Sequence, residues 1–146
     1  MNSIVSATTN SVLGSGAGMS QRDAFLSSAY ALLAQAKEDF DLGAFDVALE
    51  NSYRAALRVA GSVNADSPVI QKRKRLPTSA WEKLALTSDR GKEWAAAFSA
   101  YSRERGRVVS GIEANPDPHA VRTLIELTSQ FLEDSTPGVT GVTLVA

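Results

Sequence analysis

The chain has no cysteine and a single histidine, His119. Without thiols there is no disulfide, no thiolate metal site and no cysteine nucleophile. One imidazole excludes any metal site built on two histidines. No apolar run approaches the roughly 20 residues that a membrane-spanning helix needs, so no membrane partner is expected. Charge of one sign is also missing. Lys and Arg number 15, Asp and Glu 16, and the formal net charge is −1. No overall basic field draws the protein to a polyanion, so any such binding must come from a local patch. No Lys or Arg precedes Arg22 and no sustained apolar block stands before it, which argues against a secretory signal. A soluble cytoplasmic protein is the expectation. The glycines of "GSGAG" (Gly14 to Gly18) follow no strand-like pattern, so they make no dinucleotide-binding turn, and no cofactor is expected.

What is present is a helical pattern. The length of 146 residues suits one domain, and 44% hydrophobic residues suffice for a core. Residues 1–20 are Ser-, Thr-, Gly- and Asn-rich and uncharged, and they read as a disordered leader. Residues 21–135 read as a bundle of about five helices, and 136–146 as a mobile tail. In the first helix Phe25, Ala29, Leu32, Leu33, Ala36 and Phe40 recur at three- and four-residue steps, with Asp39 to the side, and Gly43 offers a left-handed cap. The second, from about Ala44 to Asn64, carries Ala48, Leu49, Ser52, Ala56, Val59, Ala60 and Val63, widened by Tyr53 and Leu57. Pro68 and Pro77 bracket a connection expected to be non-helical. "SAWE" (Ser79 to Glu82) reads as a capping box opening a short third helix with Trp81, Leu84 and Ala85 inward. Ser88 to Gly91 reads as a break. The fourth helix then runs from about Lys92 to Ile112 on a stripe of Trp94, Phe98, Tyr101, Val108, Val109 and Ile112. Asp117 as cap and Pro118 in the first helical position open the last helix, with Val121, Leu124, Ile125, Thr128, Phe131 and Leu132 inward. No segment of the body alternates as a strand. The fold class is all-α, an up-and-down bundle.

"GAFDVALENSYRAAL" (Gly43 to Leu57) mimics half a tetratricopeptide repeat, with Gly43, Phe45 and Ala48 at suitable offsets. No second copy follows at the repeat length, and one repeat cannot bury its own apolar face. A different likeness covers the body from about Arg22 to Asp134. "YRAALRVA" (Tyr53 to Ala60), then "RLPTSAWEKL" (Arg75 to Leu84), then "EWAAAF" (Glu93 to Phe98) resemble the HEPN superfamily, in the small actinobacterial branch known as SAV_6107-like HEPN. The resemblance implies a helical bundle, often a homodimer. Many HEPN domains are metal-independent RNases, whose motif is an Arg followed after four to six residues by a His. Here His119 has Arg107 as its nearest upstream arginine, so the motif is absent. His119 also stands in the first turn of a helix, where it faces solvent. The expectation is a non-catalytic HEPN-like domain, binding nucleic acid or nucleotide or regulating a partner that does. A bundle that binds only proteins is the alternative.

Three groups of arginine and lysine are candidate sites. "KRKR" (Lys72 to Arg75) is either a clamp for a nucleic-acid backbone or an acidic protein, or simply a solvated loop. Arg54 and Arg58 lie one turn apart and extend such a clamp, unless Glu50, four residues before Arg54, pairs with it. Arg103, Arg105 and Arg107 cluster near Gly106, and Arg105 falls inside the apolar stripe. A charge there requires a partner. It marks either a ligand groove between helices or a structural ion pair. Trp81, Trp94, Phe98 and Tyr101 sit at core spacing rather than as a base-stacking platform.

Overall fold

The computed structural model describes residues 19–138, and among them are six helices, five begun by a side-chain cap. The six are α1 Gln21–Asp41, α2 Phe45–Asp66, α3 Pro68–Lys72, α4 Ala80–Thr87, α5 Asp89–Val109 and α6 Pro118–Ser135. Among the described residues there is no strand. The all-α bundle expected from periodicity is present. Apart from residues 19, 20 and 136 to 138, the leader and tail lie outside the described residues. Ser20 itself serves α1: its hydroxyl accepts from the Asp23 N–H at 3.0 Å. At the other end Thr136 donates its hydroxyl to the Leu132 carbonyl at 2.6 Å.

Local chemistry explains the boundaries. Gly43 at φ +79° turns the chain between α1 and α2, and its N–H meets the Phe40 carbonyl at 3.0 Å. The connection read as non-helical contains α3 instead. Pro68 occupies its first turn, where a missing N–H costs nothing, and the Ser67 hydroxyl accepts from the Ile70 N–H at 3.4 Å. Ser79 caps α4 through the Trp81 and Glu82 N–H groups. The return bond of a full capping box is absent among the described residues, and Glu82 is exposed. The break expected over Ser88 to Gly91 shrinks to Ser88, which caps α5 by accepting from the Gly91 N–H at 2.9 Å. Gly91 is buried, and a Cβ there would collide with the Leu84 carbonyl and the Thr87 hydroxyl. α5 also stops three residues early, at Val109, and leaves Val109 and Ile112 exposed rather than in the stripe. α6 begins and packs as its pattern indicates.

Helix α2 is the centre. It packs on α1, α4, α5 and α6, which is why its apolar stripe is broad. Ala29, Ala36, Ala48, Ala55, Ala56 and Ala60 are fully buried, so neighbouring axes approach closely. Aromatic rings join the other helices. Trp81 stacks on Phe98 at 5.1 Å, and Phe98 and Trp94 both meet Phe131, at 5.2 and 4.9 Å. The buried Trp81 indole N–H donates to the Tyr53 hydroxyl at 2.7 Å. Asp39, expected beside the stripe, is buried. Its carboxylate accepts from Gln35 at 3.0 Å and from Asn51 at 2.8 Å, which ties α1 to α2.

Candidate nucleic-acid interface

The basic run straddles a helix end. Lys72 closes α3, while Arg73, Lys74 and Arg75 follow in extended and bent backbone. All four side chains are exposed, and none enters an ion pair among the described residues. The only side-chain bond within the run joins Arg73 Nε to the Arg75 carbonyl at 3.4 Å, which is long and weak. Like charges this close lower their mutual repulsion by staying in water, so four free cations project from one short segment.

That segment leaves from and returns to the wall of a cavity. Ile70, just before Gln71, and Thr78, just after Pro77, both line an open, groove-like space of about 360 Å³ bounded by α1, α2, α3 and α4. Lys83 of α4 lines it too and has no ion pair among the described residues. From α2, Leu57, Gly61 and Ala65 contribute. Arg54 and Arg58 precede Gly61 and Ala65 at helical spacing, so they continue that stripe away from the cavity. At 1.5 Å per residue Arg58 lies about 10 Å and Arg54 about 16 Å along the axis from Ala65. Neither is ion-paired among the described residues.

The third group stands elsewhere. Arg105 reaches from α5 to Glu50 on α2, its Nε 2.8 Å from one carboxylate oxygen and its terminal nitrogen 3.1 Å from the other. Its guanidinium also lies over the Tyr53 ring, 5.3 Å from the centroid. The hydrogen bond to Glu50 raises the Arg105 pKa above its ordinary value. Burial opposes that rise, and the charge of Glu50 supports it. Glu50 therefore serves Arg105 and not Arg54. Arg107 sits 3.8 Å from Glu113, and Arg103 is exposed. Glu50 is fifteen residues from Ala65, about 22 Å along α2, so these arginines do not join the basic segment. His119 is exposed in the first turn of α6.

Two contributors to the cavity escape inspection of the sequence. Lys83 resembles any solvated lysine on a short helix. Asn64 stands out only as the expected end of the second helix, with nothing in its local pattern to mark a buried acceptor.

Among the described residues, the arrangement offers unpaired positive charge at the mouth of a partly apolar cavity, with no carboxylate in its wall. It suits retention of an anion. Among the described residues no cluster of His, Asp and Glu could hold a metal ion. No described helix is long and apolar enough to cross a membrane. No curated protein and no solved structure matches the chain. The SAV_6107-like HEPN family matches residues 43–135, more than half of the 146 and the whole span from the α1–α2 turn to the end of α6. The chain belongs to the SAV_6107-like HEPN family.

Proposed function

We propose that this chain is a non-catalytic HEPN domain that binds single-stranded nucleic acid through Lys72 to Arg75. The carrying observation is that four consecutive cations are exposed and unpaired among the described residues. Cations crowded in this way can neutralise successive phosphates of a nucleic-acid strand and release its condensed counterions. The missing Arg–His pair supports binding without cleavage.

The test replaces Lys72, Arg73, Lys74 and Arg75 together by Ser. Affinity for a labelled single-stranded RNA and its DNA counterpart is followed by fluorescence anisotropy between about 50 and 200 mM salt. The wild-type protein should bind at low salt and weaken steeply as salt rises. The variant should lose most of that binding and flatten the log-affinity slope by about three units, since each phosphate contact on a single strand contributes about 0.7. Undiminished binding by the variant refutes the reading. Co-purification of an acidic protein that persists after nuclease treatment, with no oligonucleotide binding, would move the assignment to a protein partner.

A further inference from the structure

The cavity has the composition of a binding pocket, which the charge of the segment alone does not require. Its volume of about 360 Å³ falls at the lower end of the range for small-molecule sites, about 300–1,000 Å³. Phe25, Leu57 and Ile70 supply apolar walls. Lys83 is the one ionisable side chain among its described lining residues. Asn64 lines it as well and is only 9% exposed. Its Nδ2 donates to the Ala80 carbonyl at 3.3 Å, whereas its Oδ1 is buried without a donor. Native interiors rarely leave a buried acceptor unpaired, so Asn64 has capacity for one more partner. Among the buried side-chain polar atoms of the described lining residues, this acceptor alone lacks a partner.

We propose that this cavity receives one unstacked base of the strand held by Lys72 to Arg75, with Asn64 accepting an N–H of the base and Lys83 meeting the adjoining phosphate. The proposal rests on the nucleic-acid reading and adds to it what the segment grips besides charge. Single strands are commonly held by a cationic track together with pockets or platforms for splayed bases. A pocket at the end of the track fits because Ile70 and Thr78, the residues flanking Gln71 to Pro77, are in its wall. Every common base carries an N–H on its pairing edge, so one acceptor distinguishes base from no base rather than one base from another. A base inside a duplex cannot enter without first being extruded, which gives a preference for single strands.

The experiment compares an ordinary single strand with an abasic strand of equal length and charge. The wild-type protein should bind the ordinary strand about tenfold more tightly, as the contribution of one held base implies. Ala65→Leu, which fills the cavity from α2, should bind both strands alike, with its melting curve by circular dichroism confirming the fold. Asn64→Leu is the second variant, and it too should erase the difference. Equal binding of both strands by the wild-type protein overturns the base pocket and leaves the basic segment standing. A preference that survives in both folded variants also overturns it. Failure of the wild-type protein to bind either strand removes the nucleic-acid reading itself, and the pocket with it.

Discussion

Arg105 and Glu50, fifty-five positions apart in the chain, meet in a two-pronged ion pair that clasps α5 to α2. The side chains remain 38% and 30% exposed, and the Tyr53 ring covers one face of the guanidinium. This accounts for a charge that falls within an apolar stripe. The arginine's stem packs in the bundle while its head reaches a carboxylate at the edge.

Arg105→Met should therefore reduce stability without touching nucleic-acid binding. Solvent screening at this exposure keeps the coupling to about 0.5–1 kcal/mol, despite the good geometry. A double-mutant cycle with Glu50→Gln, read by urea unfolding, measures it. Loss of oligonucleotide affinity in the folded Arg105→Met protein would instead put this arginine in a binding groove.

Tyr53→Phe should cost more than its single oxygen suggests. The Trp81 indole N–H is buried and donates to that hydroxyl at 2.7 Å. Its removal strands the donor, at a cost of about 1–3 kcal/mol. The tryptophan emission spectrum and the urea midpoint should shift together. An unchanged midpoint would show that the donor finds another acceptor.

Gly91→Ala should destabilise although Ala is the better helix former. The added methyl meets the Leu84 carbonyl, which belongs to backbone and cannot swing aside. Overpacking of this kind costs about 1–3 kcal/mol. Gly106→Ala is the matched control, since an added methyl there meets nothing. It should stabilise by up to about 1 kcal/mol. Thermal melts of the two variants should move in opposite directions.

The purified protein should not cleave RNA, and His119→Ala should leave its behaviour with RNA unchanged. His119 is exposed and has no arginine at the motif spacing. Incubation with a mixed-sequence RNA panel and gel analysis checks this. Cleavage that disappears in the His119 variant would restore an enzymatic role.

Self-association is expected through the groove between α1 and α6. Tyr30 is 51% exposed there, beside Leu33, Leu132, Lys37 and Glu133. Neither charge is ion-paired among the described residues, so each is available to an opposite charge on a second copy. Light scattering should report a dimer, and Tyr30→Asp should yield a monomer. A monomeric wild-type mass rules this out.

Sequence by itself determined the class and much of the framework. Three- and four-residue apolar steps, Gly43 after α1, Ser79 before Trp81, and Asp117 with Pro118 each act within about one helical turn. Short-range patterns of this kind need no knowledge of the neighbours. The two prolines conceal α3, because a proline resists helix in its interior yet at a first helical position, where Pro68 stands, is compatible with it. The pattern also extends α5 to Ile112, because Val109 and Ile112 continue an apolar step that in the folded chain has nothing to pack on. Other matters only the tertiary structure decided. Arg105 selects Glu50, Asp39 is buried by Gln35 and Asn51, and Lys83 and Asn64 line one cavity with Phe25. Each of these joins residues on different helices or far along one of them. Helical periodicity specifies which face of a helix is apolar but not which partner it meets, nor how far one helix slides along another. Close packing of α1, α4, α5 and α6 around α2 fixes those offsets, and the cavity is the space that this packing leaves beside the basic segment.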